Sequence, residues 1–270
     1  MVMMKTAQGF LGLSLVLAGL SCASQPNHPP QEFDFRQFEY HTNYRSTQAK
    51  IRTPEEGFHL WMKHHNELKD RVREGPVDLL MIGDSIVFRW ERDGREVWET
   101  FYGERNAVQI GSSGDYTDHV LWRIQNGALE TATPKLTVLL IGTNNTGLRK
   151  DPAEETAYGI EAIIKEIKKR MPGSKILLLA ILPRGNRAHA NPDRLLAQDA
   201  LAASNAEVNL LIQDFADDER VYYLDLGHIF QLPDGTLDPA LMPDFVHPGA
   251  EGFQVWAEAL EPHIKLHLGE

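Results

Sequence analysis

Residues 77–83 read VDLLMIG and residues 136–142 read LTVLLIG, two short and largely apolar runs that each end at a glycine. Three further apolar runs have similar lengths, and they occupy residues 107–111, 175–182 and 221–226. Stretches with apolar residues at helical spacing separate or follow these runs, at about 86–101, 116–130, 152–171, 195–216 and 249–267. Near-continuous apolar strands that alternate with amphipathic helices indicate a parallel sheet buried on both faces. We therefore predict an α/β three-layer sandwich with a flavodoxin-like, five-stranded parallel sheet.

The composition fits one large globular domain and excludes several classes of partner. The chain has 270 residues, of which 42% are hydrophobic and 24% are charged. Its formal net charge of −11 repels phosphate backbones, so we predict no nucleic-acid partner. Its one cysteine, Cys22, permits neither an internal disulfide nor a cysteine-based zinc site. The histidines lack metal-ligand spacing with carboxylates, so we predict no metal and no cofactor.

The N-terminal residues 1–23 have the pattern of a signal peptide. Lys5 precedes an apolar stretch at residues 10–20 that is short for a membrane span. Cleavage after Ala23 would release a secreted protein, whereas a lipid on Cys22 would anchor a bacterial lipoprotein to the membrane. On either alternative we predict an exported protein, which is periplasmic, secreted or attached to the outer membrane.

We predict a polar tether together with an irregular N-terminal extension at residues 24–56, a proline-containing stretch with few apolar repeats. The remaining residues, 57–270, form the predicted main domain. It begins with an amphipathic helix at residues 58–73.

Ser85 follows the first predicted strand and a glycine turn, in the sequence GDSI at residues 83–86. A serine at the start of a helix most commonly caps that helix. It could also be a nucleophile, because its hydroxyl would face the open edge of the sheet and its own N–H could point at the group attacked.

Each of the next two strands ends in a turn that has one structural and one functional interpretation. Gly114 lies in GSSGD at residues 111–115, where it either permits an unusual backbone angle or lets its N–H approach an anion. Asn144 lies in GTNN at residues 142–145, where it either bonds its own turn or offers a side-chain donor.

Asp244 and His247 are three residues apart near the C-terminus, in DFVH. The carboxylate could bond one ring nitrogen and leave the other free, or it could be a buried cap beside an incidental histidine. A nucleophile, a base, an orienting carboxylate and N–H donors at one edge are what acyl transfer requires. The G-x-S-x-G motif of the common α/β-hydrolases is absent from the chain.

In this order, the four blocks resemble those of the SGNH, or GDSL-type, hydrolase superfamily. The likeness is closer to bacterial relatives of the catalytic subunits of intracellular platelet-activating-factor acetylhydrolase. It is carried by GSSGDYTDHVLWRIQNGALE (111–130), PKLTVLLIGTNN (134–145), LPRGN (182–186), DGTLD (234–238) and LWMKHHNEL (60–68). The resemblance covers residues 60–267 and implies the SGNH hydrolase fold. Ser112 and Ser113 depart from it, since that subgroup usually has Ile-Gly there.

The resemblance implies a role for each matched residue. Ser85 would be the nucleophile, His247 the general base and Asp244 its orienting carboxylate. The oxyanion hole would be formed by Ser85 N–H, Gly114 N–H and the Asn144 side chain.

Three further positions match the walls of the small acyl pocket in the acetylhydrolase subgroup: Ile86, Thr143 and Val246. A pocket walled by such residues would favour acetyl over long acyl chains. The related acetylhydrolases associate as dimers, so the resemblance also implies a homodimer.

Arg184, in LPRGN, follows the fourth predicted strand. It could hold an anionic substrate group or brace the loop that follows.

These observations predict an exported serine esterase that removes short acyl groups, most simply acetyl, from a small-molecule or polysaccharide ester. Export and the resemblance together favour an O-acetylated carbohydrate. The same triad would serve an O-acetyltransferase or, with a longer acyl pocket, a lysophospholipase or thioesterase. A non-catalytic glycan-binding lipoprotein is the alternative outside enzyme chemistry.

Overall fold

The computed structural model describes residues 44–185 and 198–270, with the side chains of residues 198–202 left aside. The strands of this part are β1 (Leu79–Gly83), β2 (Ala107–Gln109), β3 (Leu136–Leu140), β4 (Lys175–Leu179) and β5 (Val221–Leu224). The α-helices are α1 (Phe58–Arg73), α2 (Ser85–Phe88), α3 (Arg95–Tyr102), α4 (Thr117–Arg123), α5 (Ala153–Arg170), α6 (Gln198–Ile212) and α7 (Ala250–Leu268).

The strands pair in parallel in the order β2-β1-β3-β4-β5, which confirms the predicted flavodoxin-like sheet. The chain crosses from one side of β1 to the other between β2 and β3, so the strand order reverses there. In open α/β sheets this reversal leaves a crevice at the carboxyl ends of the strands, which is where ligands bind. The loops that follow β1, β2 and β3 all reach this crevice.

Side chains of β1 point alternately into two separate hydrophobic cores. Leu80 and Ile82 pack in the core that includes α1, α4 and α5. Leu79 and Met81 pack in the opposite core, with α3 and α7. Both faces of the strand are thus removed from water, which explains why the run VDLLMIG lacks polar alternation.

Two predicted helices are shorter than expected. The predicted helix at 86–101 is divided into α2, a 3₁₀ turn at Arg89–Glu91 and α3. Gly94, just before α3, lies against α7, since a Cβ there would be 2.6 Å from the Phe253 ring. The predicted helix at 116–130 loses its regular backbone at Gly127, where φ is +100°.

Residues 44–56, which we call the N-terminal arm, pack on the domain, although they fall within the predicted tether. The Ser46 side chain is buried and donates to the Glu155 carbonyl at 2.5 Å. Arg45 pairs with the buried Asp151 carboxylate at 3.0 Å. From residue 44 onward the stretch is therefore an irregular extension held against the domain, and the boundary between tether and extension stays a prediction.

The predicted signal peptide at residues 1–23, with Cys22, lies outside the described residues, as do residues 24–43. In the part of the chain that the structure describes, we find no helix of the length and apolarity that crossing a membrane requires.

Candidate active site

Ser85, His247 and Asp244 form one hydrogen-bonded line at the carboxyl edge of the sheet. The Ser85 Oγ lies 2.8 Å from His247 Nε2, and His247 Nδ1 lies 2.8 Å from Asp244 Oδ2. A carboxylate only accepts, so the proton of the neutral ring belongs on Nδ1 and leaves Nε2 to accept the serine proton. Ser85 and His247 are 8% and 4% exposed, so the pair is shielded from water but not sealed.

The turn at residues 244–247 brings a carboxylate and a histidine together over only three positions. Asp244 Oδ1 accepts the backbone N–H groups of Val246 and His247, at 3.0 and 2.8 Å. Phe245, which directly follows Asp244, has φ of +57°, a left-handed backbone conformation that is uncommon outside glycine. Its carbonyl accepts the Gly185 N–H at 2.7 Å, which ties the turn to the loop after β4.

The Asp244 carboxylate stays ionised in this setting. Burial works against the charged form, but hydrogen bonds from the His247 ring and from two backbone N–H groups outweigh it. The pKa of Asp244 is therefore held well below its ordinary value. An ionised carboxylate at this position fixes the histidine tautomer and would stabilise an imidazolium.

The three predicted N–H donors lie in the loops that follow β1, β2 and β3, at the carboxyl edge of the sheet. Ser85 is the first residue of α2, where a backbone N–H has no partner within the helix. Gly114 has φ of +76°, which glycine adopts without strain. Asn144 follows β3, is buried, and uses one hydrogen of its side-chain amide on the Asp115 carbonyl at 2.9 Å. Its second amide hydrogen has no hydrogen-bond partner in the part of the chain that the structure describes.

The three predicted pocket residues are all buried beside these groups. Ile86 and Thr143 are each 1% exposed and Val246 is 5% exposed. Each adjoins one of the predicted catalytic residues in the chain, namely Ser85, Asn144 or His247.

Arg184 braces the loop that follows β3, whereas the second of its two predicted roles placed the bracing in the loop after its own strand, β4. It is buried, and its Nη1 donates to the Thr143 carbonyl at 2.6 Å.

Asp84 was not predicted to take part in the site. Its carboxyl group is fully buried beside the nucleophile, where Oδ1 accepts the Ile86 N–H at 2.9 Å. Oδ2 is buried and has no hydrogen-bond partner among the described residues. Burial raises the pKa of Asp84 to about 7, and the nearby Asp115 acts in the same direction. The sequence held no sign of this, because burial of a turn residue depends on distant packing.

Curated relatives match most of the chain. It is 36% identical over 216 residues to the platelet-activating factor acetylhydrolase IB subunit alpha2 of Rattus norvegicus, which covers 80% of this chain and 88% of the relative. It is 33% identical over 201 residues to the alpha1 subunit of Homo sapiens, which covers 74% of this chain and 80% of the relative.

These relatives show that the prediction of an exported protein is wrong. They are animal subunits of the intracellular acetylhydrolase that the sequence resembles. The prediction depended on the apolar pattern of residues 1–23, and such a pattern alone does not establish export.

Solved structures match the fold. A GDSL-like lipase of Bacteroides thetaiotaomicron superposes with a TM-score of 0.60 at 19% identity, over 76% of this chain and 98% of the other. A carbohydrate acetylesterase family member of Sinorhizobium meliloti gives 0.54 at 19% identity, over 72% and 100%. The model of the GDSL-like lipase/acylhydrolase family matches residues 81–255. This chain belongs to that family and is a hydrolase with the SGNH hydrolase fold.

Proposed function

We propose that this protein is a serine esterase that hydrolyses short-chain acyl esters, with acetyl as the preferred group, through an acyl-serine intermediate. The observation that carries the proposal is the unbroken line from the Ser85 hydroxyl through His247 to Asp244, with 2.8 Å at each step. Such a line activates a hydroxyl that would otherwise keep its proton at neutral pH.

In the first half of the proposed reaction, Ser85 Oγ attacks the ester carbonyl carbon while His247 Nε2 takes its proton. The carbonyl oxygen becomes an oxyanion and accepts hydrogen bonds from the N–H groups of Ser85 and Gly114 and from the Asn144 amide. His247 then returns the proton to the departing alkoxide, and the alcohol leaves. The acyl group remains on Ser85.

Water completes the cycle by the same route. His247 removes a proton from the water, the hydroxide attacks the acyl carbon, and the second oxyanion occupies the same donors. Collapse breaks the bond to Ser85 Oγ, which recovers its proton from His247. The carboxylic acid leaves, and the enzyme regains its starting state.

The preference for acetyl rests on the three predicted pocket residues. Ile86, Thr143 and Val246 are buried, and Arg184 holds Thr143 in place through a 2.6 Å hydrogen bond. Buried, tightly packed side chains next in the chain to Ser85, Asn144 and His247 leave little room for a long acyl chain. The names of the curated relatives, which are acetylhydrolase subunits, support the same preference.

The alcohol half of the ester is a separate question. The carbohydrate predicted from the sequence rested in part on export, and that argument no longer applies. The relatives' names favour an acetyl ester of the platelet-activating-factor type, whereas the carbohydrate acetylesterase of Sinorhizobium meliloti shares the fold alone. We propose the lipid acetyl ester as the first substrate to test. The homodimer stays a prediction.

The test compares wild-type protein with Ser85→Ala on p-nitrophenyl acetate, butyrate and octanoate. We expect acetate turnover that falls by about 10⁴-fold or more in the variant, because the nucleophile is lost. We also expect little octanoate turnover. Equal rates in both proteins would remove Ser85 from the reaction, and faster octanoate than acetate turnover would favour the lysophospholipase or thioesterase alternative.

The natural substrate and the transferase alternative need two more arms. Release of acetate from platelet-activating factor is compared with release from an acetylated xylan at equal ester concentration. A sugar acceptor is then added to the p-nitrophenyl acetate reaction. Free acetate as the main product, with or without the acceptor, supports a hydrolase, whereas acetylated sugar as the main product supports a transferase.

A further inference from the structure

Asp115 lies directly after Gly114 and its carboxylate is completely buried. Three side chains from different parts of the chain donate to it, each at 2.8 Å. They are Arg52 of the N-terminal arm, Trp61 of α1 and Arg123 of α4. A buried carboxylate with several charge-assisted hydrogen bonds is held in one position, because any movement would leave charged donors unpaired.

The backbone of Asp115 connects this anchored side chain to two predicted donors of the oxyanion hole. Its carbonyl accepts the Asn144 side-chain amide at 2.9 Å, which sets the direction in which the other amide hydrogen points. Its N-terminal neighbour is Gly114, whose N–H is the second donor. One residue thus links two donors that come from the loops after β2 and β3.

Arg52 holds the same loop from the other side of Gly114. Its Nη2 donates to the Ser113 carbonyl at 2.6 Å as well as to the Asp115 carboxylate. A Cβ on Gly114 would lie 3.3 Å from this nitrogen. The guanidinium therefore spans the residues on both sides of Gly114 and lies close over the glycine itself.

Arg123 ties the anchored carboxylate to the strand that carries the nucleophile. It is 1% exposed, and its guanidinium donates to the Ile110 carbonyl at 2.7 Å and to the Gly83 carbonyl at 3.3 Å. Ile110 extends β2 and Gly83 ends β1, two residues before Ser85. Arg123 therefore fixes the position of the Gly114 loop relative to the β1 backbone that leads to Ser85.

From these contacts we propose that Asp115 is the positioning residue of the oxyanion hole and that Arg52, supplied by the N-terminal arm, keeps it in register. This inference rests on the proposed function, since it concerns the donors of the proposed reaction. Neither side chain touches the substrate. Loss of the Arg52 contacts lets the 113–115 backbone relax, so that Gly114 N–H and the Asn144 amide no longer converge on the developing charge.

The experiment measures kcat and KM for p-nitrophenyl acetate in the full chain with Arg52→Ala. Loss of one oxyanion-hole donor typically lowers kcat by about 10²–10³-fold. Displaced but present donors should cost less, so we expect a decrease in kcat of about 10–100-fold with KM changed by less than about 3-fold. We expect Arg52→Lys to recover part of the loss, because one cationic donor returns.

Arg105→Ala is the matched control. Arg105 is also an ion-paired arginine with a largely covered side chain, 14% exposed against 13% for Arg52. Its partners are Glu261 and Glu270, at the opposite edge of the sheet from Ser85. We expect it to lower the melting temperature to a similar extent and to leave kcat within about 2-fold of wild type.

The dependence of kcat/KM on pH separates positioning of the oxyanion hole from damage to the triad. We expect the acid limb, which reports the essential base of the free enzyme, to be unchanged in Arg52→Ala. A shifted limb would overturn the assignment, as would a kcat within about 2-fold of wild type. If Arg52→Ala does not fold, Arg52→Gln carries the same test with the same expectations.

Failure of this inference is distinguishable from failure of the proposed function. Wild-type protein that does not turn over acetate, or a Ser85→Ala variant that does, contradicts the proposed function without reference to Arg52. Active wild type, inactive Ser85→Ala and fully active Arg52→Ala contradict only the role of Asp115 and Arg52.

Discussion

The candidate site has a triad half, formed by Ser85, His247 and Asp244, and an oxyanion half, formed by the N–H donors of Gly114 and Asn144. The geometry of the two halves is fixed in different ways. On the triad half, Asp244 and His247 share one turn, and a single long-range hydrogen bond joins them to Ser85. On the oxyanion half, Gly114 has no side chain and depends on Asp115, which is held by residues from the arm, α1 and α4. Nucleophile activation is therefore encoded locally, whereas the placement of the donors is encoded by packing across the domain.

The largest expected effect comes from breaking the triad half. In His247→Ala, Ser85 loses the base that takes its proton, so kcat for p-nitrophenyl acetate should fall by about 10⁴-fold or more. Titration with an alkylating or phosphonylating reagent should show a matching loss of Ser85 reactivity. Retention of a tenth of the wild-type rate would mean that another group serves as the base.

Asn144→Ala breaks the oxyanion half and should have a smaller effect. It removes one donor to the oxyanion and leaves the Ser85–His247 pair intact, so we expect kcat to fall by about 10²–10³-fold with little change in KM. The pH at which the acid limb of kcat/KM falls should not move. If kcat is unchanged and only KM rises, Asn144 contributes to ground-state substrate binding instead.

Val246→Ala alters the side chain of a predicted pocket residue and keeps the backbone N–H that bonds to Asp244. The shorter side chain opens space near the acyl group, so the ratio of butyrate to acetate turnover should rise by about 10-fold. This is within the range of discrimination that one or two methylene groups usually produce. Circular dichroism would verify that the fold persists. An unchanged ratio would show that Val246 does not wall the acyl pocket.

The smallest expected effect on activity, and a distinct effect on stability, comes from Asp84→Asn. The folded-state pKa of Asp84 is raised to about 7, so between about pH 4 and pH 7 the folded protein holds a proton that the unfolded chain has lost. This group therefore lowers the free energy of unfolding as pH rises through that window, by up to about 1.4 kcal/mol per pH unit. Asparagine mimics the protonated acid and removes this loss.

Urea unfolding at pH 5 and pH 8 measures the effect of Asp84. The advantage of Asp84→Asn over wild type should be greater at pH 8 than at pH 5, with acetate turnover changed by less than about 3-fold. The same advantage at both pH values would show that Asp84 is ionised throughout.

Much of the fold and of the triad half was predictable from the sequence. The five apolar runs gave the sheet because buried parallel strands lack polar alternation. Ser85, Asp244 and His247 were recognisable because each lies in a short motif at a strand end or on one turn. The division of the 86–101 helix was not predictable, because the contact between Gly94 and Phe253 spans most of the domain.

The support of the oxyanion half was missed for the same reason. Asp115 reads as an ordinary turn residue, and its partners Arg52, Trp61 and Arg123 are scattered over three separate elements. Arg52 also fell in a stretch whose polar, proline-containing composition predicted a tether and an irregular extension, with no contact assigned to any of its residues. Composition reports average solvation, and it does not identify one arginine that reaches a buried carboxylate.

Stoichiometric labelling with a fluorophosphonate tests most directly whether Ser85 is the nucleophile. The adduct is located by mass spectrometry, and residual esterase activity is measured on the same sample. We expect one adduct per chain on Ser85, loss of activity in proportion to labelling, and very slow labelling of His247→Ala. An adduct on another residue that accompanies the loss of activity, or full activity after Ser85 is labelled, would contradict this expectation.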